Sequence, residues 1–594
     1  MSHTALDQSI SRRDCLALGG LAAASLALPN TARSDDHRAP NIILIMTDDQ
    51  GWGDIHSHGN EVIRTPVLDA LAAEGARFDR FYVSPVCAPT RASLLTGRYA
   101  MRTGVHGVTR GYETMRADEV TLAEVCKQNG YATGCFGKWH NGAHYPQHPN
   151  GQGFDEFLGF CAGHWNNYFD PKLEHNGAPI REEGYITDVL TDAAIQFIED
   201  NQDQPFFCYI PYNAPHSPWQ VPDRYFDYYK SKGLDDKTAC AYAMCENIDE
   251  NVGRVLQRLE ELGLEGDTLV MFLTDNGANS DRYDGHMRGR KGAVDEGGVR
   301  VPFFVRWPGK IAAGQTIEPI AAHIDVLPTL TQLCGFENPQ TKPLDGISLA
   351  PLLVNQPENW PDRKIFSHWG GRGAVRTQRW RATVTRQGAW SLYDIENDPR
   401  QETDLAESNQ GRLAELRAAY EDWYEDVTQE GFEPIPIEIG HAESPTVTLP
   451  GHEAFLQPGR GEGIDYYGGA GWANDWVAKW TDAQAFPSWE IDVVRGGTYA
   501  VSMLYICDEG SVGTSLRLEI LDQTLTAQIG EAYNPPVKSH PDRVPRKEVY
   551  EREWAEIPVG EVKLQPGQGR LRVKVTEMPG DEAIHLKAVR LKRI

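Results

Sequence analysis

Residues 41–330 alternate apolar runs of strand length with amphipathic segments of helical length, and no other feature constrains the fold as strongly. The apolar runs lie at 42–46, 206–210, 269–273 and 301–305. Each is apolar at consecutive positions, which is typical of a strand buried on both faces of a sheet. Helical patterns fill the intervals, among them 188–200, 245–262 and a helix bounded by Thr65-Pro66 and Gly75. The alternation predicts a parallel α/β sheet.

Polar side chains follow several of these runs, at the point where each strand should end. They are Asp48 and Asp49 after 42–46, Lys138 and His140 after 131–136, His216 after 206–210, and Asp275 and Asn276 after 269–273. The carboxyl ends of parallel strands form the ligand-binding edge of an open α/β sheet. The sequence therefore predicts that these scattered residues lie together in one site.

Four of these residues form a donor set that contains only oxygen ligands. Such sets suit hard cations, Ca²⁺ or Mg²⁺, rather than zinc. An isolated Asp-Asp or Asp-Asn pair would usually be a solvated turn. The shared position at the strand edge favours a cation site that consists of Asp48, Asp49, Asp275 and Asn276.

The segment that begins at Cys87 has the properties of an anion-binding helix start. Pro89 suits the first turn of a helix because proline has no N–H to leave unpaired. Cys87 would then lie at the helix N terminus, where free N–H groups and the helix dipole favour negative charge. Arg91 adds a planar guanidinium about one turn further on. For a short C-x-P-x-R match alone, a buried cysteine before an ordinary helix is the alternative.

Two longer strings turn this local pattern into a family resemblance. Residues 87–98 read C-A-P-T-R-A-S-L-L-T-G-R, and residues 130–140 read G-Y-A-T-G-C-F-G-K-W-H. Both are similar to the signatures of type I formylglycine-dependent sulfatases, which belong to the alkaline phosphatase superfamily. Asn141 departs from the leucine that is common there. The string L-Y-D-I-E-N-D-P at 392–399 resembles the C-terminal subdomain of sulfatases, so the resemblance covers residues 40 to 430.

The resemblance implies an α/β fold, an alkaline-phosphatase-like α/β/α sandwich at 40–330 with a small α+β C-terminal subdomain at 331–430. Within that subdomain, 380–385 and 389–393 fit short antiparallel strands. Residues 409–427 fit a helix with four apolar residues on one face, namely Leu413, Leu416, Tyr420 and Trp423.

The composition changes after residue 430. Pro434, Pro436 and Gly440 indicate a linker at 431–445, and apolar–polar alternation predicts an appended all-β sandwich domain at 446–594. This part is rich in aromatic residues, among them Tyr466, Tyr467, Trp472, Trp476, Trp480 and Trp489. They would either stack on sugar rings in a carbohydrate-binding site or form a core that packs against the catalytic domain. The sequence leaves both interpretations open.

The resemblance also assigns chemistry to individual residues. It implies that a formylglycine-generating enzyme oxidises Cys87 to formylglycine. Residue 87 and the four oxygen ligands would hold one divalent cation, Ca²⁺ in preference to Mg²⁺. The positions that match the family's sulfate clamp are Arg91, Lys138, His140, His216 and Lys291. Lys291 keeps the family's spacing to Glu296-Gly297-Gly298.

These roles imply a two-stage hydrolysis of a sulfate monoester. One hydroxyl of the hydrated formylglycine, ionised by the metal with help from Arg91, attacks sulfur and leaves a covalent sulfo-enzyme. The departing oxygen needs a general acid, for which His216 is the first candidate and Lys291 the second. His140 then deprotonates the other hydroxyl, so that sulfate leaves and the aldehyde returns.

Specificity would reside in loops outside the two signatures. The candidates are His164, Trp165, Asn166, Asn167, Tyr168, Asp281, Arg282, Tyr283, Trp369 and Arg372. All of them fit ordinary surface loops equally well, so none is assigned to a subsite.

The leading hypothesis is a secreted sulfatase that acts on a sulfated carbohydrate. A phosphate or phosphonate ester hydrolase of the same superfamily is the alternative, because tetrahedral anions of similar size differ mainly in charge. A carbohydrate-binding protein with an inactive catalytic domain is a third hypothesis, which the complete set of metal and clamp residues disfavours.

Charge and the first residues bear on partners and location. The formal net charge is −27, which disfavours binding to nucleic acid or to anionic membranes. The string S-R-R-D-C-L at 11–16 resembles a twin-arginine export signal, and the apolar stretch at 16–28 is shorter than the ~20 residues that span a bilayer. We expect a signal at 1–33 and export to the periplasm or beyond, without a stable membrane anchor.

Overall fold

Residues 39–337, 341–354 and 360–594 are described by the computed structural model of the chain. The export signal expected at 1–33 lies outside these residues. Ala39–Ile594 forms one compact unit. Within the described residues, no helix is both long and apolar enough to cross a membrane.

A ten-stranded mixed sheet organises the first 330 residues. Its strands, with those of a small neighbouring sheet, are β1 (Asn41–Thr47), β2 (Ala76–Phe78), β3 (Phe81–Tyr82), β4 (Ala132–Lys138), β5 (Glu156–Phe160), β6 (Lys172–His175), β7 (Ala178–Arg181), β8 (Phe206–Pro211), β9 (Thr268–Thr274), β10 (Arg300–Val301), β11 (Phe303–Arg306), β12 (Gln315–Ile317) and β13 (Ala321–Ala322). The spatial order in the large sheet is β12-β2-β11-β9-β1-β8-β4-β5-β6-β7. The five strands from β9 to β5 run parallel to one another.

Strand β1 shows why the centre of this sheet is continuously apolar. Ile42 and Leu44 belong to the core on one face, whereas Ile43 and Ile45 belong to the core on the other. Successive side chains of a strand point to opposite faces, so both faces need a covering layer. The helices are α1 (Pro66–Ala73), α2 (Cys87–Thr96), α3 (Leu122–Gln128), α4 (Ile186–Asp200), α5 (Asp223–Ser231), α6 (Asp236–Glu261), α7 (Glu296–Val299), α8 (Val326–Leu333), α9 (Ala350–Val354) and α10 (Gln410–Val427). The α/β/α sandwich expected from the sequence is confirmed.

Two elements differ from the expectation. Pro302 divides the apolar run at 301–305, because proline has no N–H for a ladder hydrogen bond, and β11 then pairs antiparallel with β9. Helix α6 begins at Asp236 rather than at 245. The Asp235 carboxylate caps it there by accepting hydrogen bonds from two backbone N–H groups of the first turn, both at 3.1 Å.

The smaller unit is a four-stranded antiparallel sheet covered by α10. Its strands are β14 (Ile365–Trp369), β15 (Arg372–Arg376), β16 (Trp380–Val384) and β17 (Trp390–Asp394). Leu416, Tyr420 and Trp423 of α10 are buried against this sheet, and the half-buried Leu413 packs against the same core. The apolar face read from the sequence is the face that contacts the sheet.

Residues beyond 430 form two six-stranded sheets around a common core. The strands are β18 (Ile437–Ile439), β19 (Thr446–Pro450), β20 (Phe455–Gln457), β21 (Asp465–Tyr466), β22 (Val477–Ala478), β23 (Phe486–Val493), β24 (Gly497–Ile506), β25 (Ser515–Ile520), β26 (Gln523–Gln528), β27 (Ala555–Leu564), β28 (Gly567–Glu577) and β29 (His585–Arg593). Leu516 and Leu518 of one sheet share this core with Val501 and Met503 of the other. Strand β18 lies inside the segment expected to be a linker.

Most of the aromatic residues singled out in the β-sandwich are buried. The buried four are Tyr466, Trp476, Trp480 and Trp489. Tyr467 and Trp472 remain 41% and 38% exposed. Packing therefore explains four of the six, and the exposed pair needs a separate account.

Candidate active site

The carboxyl edge of the central sheet brings the strand-end residues together. Asp48 follows β1 directly, and its backbone N–H donates to the carbonyl of Ala214 at 3.1 Å. Asp275 follows β9, and its N–H donates to the carbonyl of Thr47 at 3.0 Å. Lys138 is the last residue of the neighbouring strand β4. Parallel strand order thus places residues that are distant in the sequence at one edge.

Cys87 is the first residue of α2, which begins beside the same edge. The helix is buried throughout, and the Thr90 hydroxyl donates to the carbonyl of Asp275 at 2.7 Å, which ties the first turn to the end of β9. Ligand atoms of Cys87, Asp48 and Asp275 lie within 4.8 Å of one another. Burial raises the pKa of the Cys87 thiol, and the nearby lysines only partly oppose this.

Asn141, the departure from the second signature, is buried beside this helix. Its Nδ2 donates to the carbonyl of Ala88 at 3.0 Å. The amide therefore connects the second signature to the first turn of α2.

Three ion pairs join the expected clamp residues to the expected metal ligands. Their shortest distances are 2.5 Å for Lys138 Nζ to Asp48 Oδ2, 2.8 Å for Arg91 Nη2 to Asp275 Oδ2, and 2.6 Å for Lys291 Nζ to Asp49 Oδ1. The first two pairs are fully buried. Separating the two residues of a buried pair leaves an uncompensated charge. Each residue of a pair therefore holds its partner in position.

The three carboxyl groups differ in their electrostatics. Burial favours the neutral form of each, but the adjacent lysines outweigh burial at Asp48 and Asp49 and lower both pKa values. At Asp275, burial and the negative charge of Asp48 outweigh the charge of Arg91 and raise the pKa to about 7. Asp48 and Asp275 therefore oppose each other's ionisation within the buried cluster.

Three buried oxygen atoms of the expected metal ligands have no hydrogen-bond partner among the described residues. They are Asp48 Oδ1, Asp49 Oδ2 and Asn276 Oδ1. Buried polar atoms are normally paired, and a cluster of unpaired oxygens is what a hard cation binds. Asn276 Nδ2 donates to Asp49 Oδ1 at 2.8 Å, which directs its own oxygen elsewhere. The residues present therefore fit a Ca²⁺ or Mg²⁺ ion.

His140 has the tautomer that a proton acceptor requires. Its Nε2 lies 2.9 Å from the carbonyl oxygen of Val108, and a carbonyl only accepts, so Nε2 carries the proton. Nδ1 is buried and unpaired within the described part of the chain. Burial, reinforced by the charge of Lys138, holds the pKa of His140 well below its usual range. The imidazole is therefore neutral, with a free lone pair on Nδ1.

His216 has the complementary arrangement. Its Nδ1 donates to the carbonyl of Ser217 at 2.6 Å, so Nε2 is the nitrogen that a substrate can reach. Nε2 lies 3.7 Å from Asp49 Oδ2.

The smaller unit anchors the loop that carries Lys291. Glu296 is buried and accepts hydrogen bonds from Arg381 Nε at 2.9 Å and Arg376 Nε at 3.1 Å. Burial opposes ionisation of Glu296, but these arginines outweigh it and lower the pKa to about 2. Arg381 Nη1 also donates to the carbonyl of Val294 at 2.5 Å. Side chains and backbone of the loop are both held in place.

A cavity of about 360 Å³ opens onto this cluster. Five of the expected site residues line it, and we call them the floor: Asp49, Cys87, His140, His216 and Lys291. The other five are fully buried and do not line the cavity, namely Asp48, Arg91, Lys138, Asp275 and Asn276. The structure thus brings all ten residues together, while their individual roles remain predictions.

The specificity candidates have a mixed outcome. His164 lines the cavity, whereas the other candidates do not. Tyr168 is buried, and its hydroxyl donates to the carbonyl of His216 at 2.9 Å. Arg282 is buried against Asp54 at 2.7 Å. These last two residues have structural roles.

One wall of the cavity comes from the β-sandwich and was not predicted from the sequence. Trp472 and residues 544–548 line the same cavity as the floor. Trp472 was visible in the sequence only as one of many aromatic residues. Residues 544–548 lie between β26 and β27 in a segment without strand or helix, so no periodicity pointed to them.

Comparison with known proteins identifies the family. Residues 40–336, half of the chain, match the sulfatase family model, and residues 289–425 match the model described as N-sulphoglucosamine sulphohydrolase, C-terminal. The chain therefore belongs to the sulfatase family, within the alkaline phosphatase superfamily. It is an enzyme, a sulfuric ester hydrolase, as the sequence signatures led us to expect.

The similar proteins include two curated sulfatases and a carbohydrate complex. Arylsulfatase A of Bos taurus is 36% identical over 404 residues, which cover 59% of this chain and 76% of that protein. N-acetylgalactosamine-6-sulfatase of Mus musculus is 33% identical over 369 residues, which cover 56% and 69%. The crystal structure of Ps i-CgsB in complex with k-i-k-neocarrahexaose has a TM-score of 0.62 and 32% identity, and the match covers 67% of this chain and 95% of that chain.

Proposed function

We propose that this enzyme releases sulfate from a sulfated carbohydrate by means of a formylglycine made from Cys87 and one divalent cation, preferably Ca²⁺, held by Asp48, Asp49, Asp275 and Asn276. The position of Cys87 carries the proposal: it begins a buried helix, lines the cavity, and lies beside two carboxylates. Relatives named for N-acetylgalactosamine 6-sulfate and for a neocarrahexaose complex support a carbohydrate substrate.

The residues around Cys87 divide into a binding set and a positioning set. When present, the cation neutralises charge on sulfate, and the formylglycine supplies the attacking hydroxyl. Lys291 Nζ lies at the floor, where it is placed to pair with a sulfate oxygen. Arg91 lies behind the floor and donates to Asp275 and, at 2.8 Å, to the carbonyl of Lys138. Arg91 thereby fixes a metal ligand and the end of β4.

Two histidines on the floor carry the proton transfers in the proposed two-stage route. His216 Nε2, next to Asp49, donates a proton to the departing oxygen, because an alkoxide is a poor leaving group. His140 Nδ1 is unprotonated and accepts a proton in the second stage. In each ring one nitrogen bonds a backbone carbonyl and the other is free for a proton transfer, Nε2 in His216 and Nδ1 in His140, which supports one proton transfer at each residue.

Export belongs to the same proposal. The residues at 11–16 that resemble a twin-arginine signal support translocation to the periplasm or beyond. There the enzyme would meet sulfated polysaccharides or their fragments, after a formylglycine-generating enzyme has acted on Cys87.

Release of inorganic sulfate tests the proposal. The enzyme is coexpressed with a formylglycine-generating enzyme, and mass spectrometry of the peptide that contains residue 87 verifies the conversion. Sulfated monosaccharides, oligosaccharides and polysaccharides are then screened with Ca²⁺ present, and Cys87→Ala should release nothing. The proposal fails if converted enzyme releases no sulfate from any ester but cleaves the matching phosphate or phosphonate esters.

A further inference from the structure

The β-sandwich extends two segments, 471–476 and 540–552, to the active-site cavity, and we call these segments the roof. Trp472, Ala473 and residues 544–548 line the same cavity as the floor. Asn474 Nδ2 donates to the carbonyl of His164 at 3.2 Å, on the catalytic side of the cavity. The roof is therefore part of the wall that a substrate would meet.

Hydrogen bonds tie the roof to the loop that follows His216. The backbone N–H of Arg543 donates to the carbonyl of Trp219 at 2.8 Å, Gln220 Nε2 donates to Asp542 Oδ1 at 2.7 Å, and the Ser217 hydroxyl donates to the Glu548 carboxylate. Three hydrogen bonds of this kind hold the roof in one position relative to the loop that follows His216. The roof therefore has a defined place beside His216.

Arg546 serves this attachment rather than a ligand. Its guanidinium pairs with Asp542, donates to the carbonyl of Asn166 at 2.5 Å, and lies over the ring of Tyr550 at 4.3 Å. Its side chain is 1% exposed. The charge of Arg546 is therefore neutralised within the roof.

Two roof side chains are left for a ligand. Trp472 is 38% exposed, and its ring centroid lies 6.4 Å from that of His164 in an edge-to-face arrangement. Lys547 is exposed and forms no ion pair with any residue that the structure describes. The one roof carboxylate that lines the cavity, Glu548, already accepts hydrogen bonds from the Ser217 hydroxyl and the backbone N–H of Lys547.

We propose that the roof forms a sugar subsite next to the scissile sulfate, where Trp472 stacks on a sugar ring and Lys547 pairs with a second anionic group of the substrate. The inference rests on the proposed function and adds a second anion, either a sulfate or a carboxylate, to the substrate. An unpaired cation at a cavity wall, on a chain of net charge −27, favours an anionic ligand. An exposed indole offers a rigid apolar face with a polar N–H, which suits a sugar ring.

Kinetics on two substrates test the proposal. Trp472→Ala and Lys547→Ala are compared with wild type on 4-nitrophenyl sulfate and on the sulfated oligosaccharide that wild type cleaves. Loss of one charge-assisted contact should lower kcat/KM on the oligosaccharide about tenfold, and the loss on 4-nitrophenyl sulfate should be several times smaller. Rising salt should reduce the difference in kcat/KM on the oligosaccharide between Lys547→Ala and wild type, because an exposed ion pair is screened.

Matched controls come from the same sandwich. Tyr533→Ala removes an aromatic side chain of similar exposure, and Lys563→Ala removes an exposed lysine. Neither residue lines the cavity, so neither variant should change the ratio of the two kcat/KM values. Equal losses on both substrates, or no loss on either, in the Trp472 and Lys547 variants would overturn the proposal.

Two disaccharide classes distinguish the source of the second anion. One carries a uronic acid carboxylate beside the sulfated sugar, and the other carries a second sulfate. The class that suffers the larger loss in Lys547→Ala identifies the anion. If wild type cleaves neither disaccharide, calorimetry measures the binding of both to Cys87→Ala protein. This measurement separates the roof subsite from the proposed hydrolytic function, because binding does not require cleavage. Binding weakened about tenfold by Lys547→Ala in this background supports the roof subsite, and unchanged or undetectable binding refutes it.

Discussion

The substitution Glu296→Gln should destabilise the catalytic part of the protein by about 3 kcal/mol at pH 7. Glu296 is fully buried and accepts hydrogen bonds from Arg376, Arg381 and, at 3.0 Å, the Tyr82 hydroxyl. Its pKa falls from 4.5 to about 2. Each pKa unit corresponds to about 1.4 kcal/mol, so the ionised form contributes roughly 3 kcal/mol. Glutamine keeps the shape but leaves the buried guanidinium groups without their counter-ion, which typically costs about 3–5 kcal/mol.

The pH dependence of this difference has a defined sign. A carboxyl whose pKa is lower in the folded state stabilises the protein above its unfolded pKa, here 4.5, and the stabilisation is lost as the pH falls towards 2. Wild type and Glu296→Gln should therefore differ by the full ~3 kcal/mol at pH 7 and by roughly 2 kcal/mol at pH 3.5. A difference that grows on acidification would contradict the assignment.

Thermal unfolding, followed by circular dichroism, measures the effect. For the compact unit at 39–594, ~3 kcal/mol corresponds to a fall in Tm of about 2.5 °C. Glu402→Gln is the control, because Glu402 is an exposed glutamate in the same part of the chain. Glu296→Gln should also lose sulfatase activity, because Glu296 holds the loop that carries Lys291. An unchanged Tm, or an equal fall in the control, would refute the reasoning.

Two further changes probe the cation site and the base. Ca²⁺ should raise the Tm of wild type, since a ligand that binds only the folded state stabilises it by about 2.7 kcal/mol at a hundredfold excess over Kd. Asp49→Asn should abolish that rise, which calorimetry with and without EDTA will reveal. In Gly163→Ala, the new Cβ would lie 2.5 Å from His140 Nε2 and displace the ring. The variant should lose at least about tenfold in kcat with an unaltered circular dichroism spectrum, and a kcat equal to wild type would exclude this role for Gly163.

Much of the site was predictable from the sequence, because parallel strands place the residues that follow their carboxyl ends at one edge of the sheet. The sequence placed Asp48 and Asp275 after two continuously apolar runs, and β1 and β9 are adjacent in the sheet. The start of α2 at Cys87 also follows from local physics, because Pro89 suits a first turn. The tautomers of His140 and His216 were not predictable, since they depend on which carbonyl each ring meets in the folded chain.

The remaining errors arise where tertiary contacts decide. Strand β11 runs antiparallel to β9, although the apolar run at 301–305 fits a parallel strand, and Pro302 interrupts that run. The aromatic residues of the β-sandwich gave no indication of which ones are buried, because burial depends on how two sheets pack. No sequence pattern singled out Lys547, because its place at the cavity results from contacts between the segment at 540–552 and the His216 loop in the folded chain.

Net charge did not exclude an anionic substrate, because charge acts locally at this site. Exposed carboxylates farther than about 10 Å from the cavity are screened at 0.1 M salt, whereas charges in a buried cluster interact strongly. The floor and the layer behind it pair each lysine with a carboxylate, so Lys291 and Lys138 balance charge there. Lys547 has no such partner among the described residues. In the function we propose, the cation would give the inner site its net attraction for sulfate, Lys547 would add attraction at the roof, and a substrate with a second anion would gain from both.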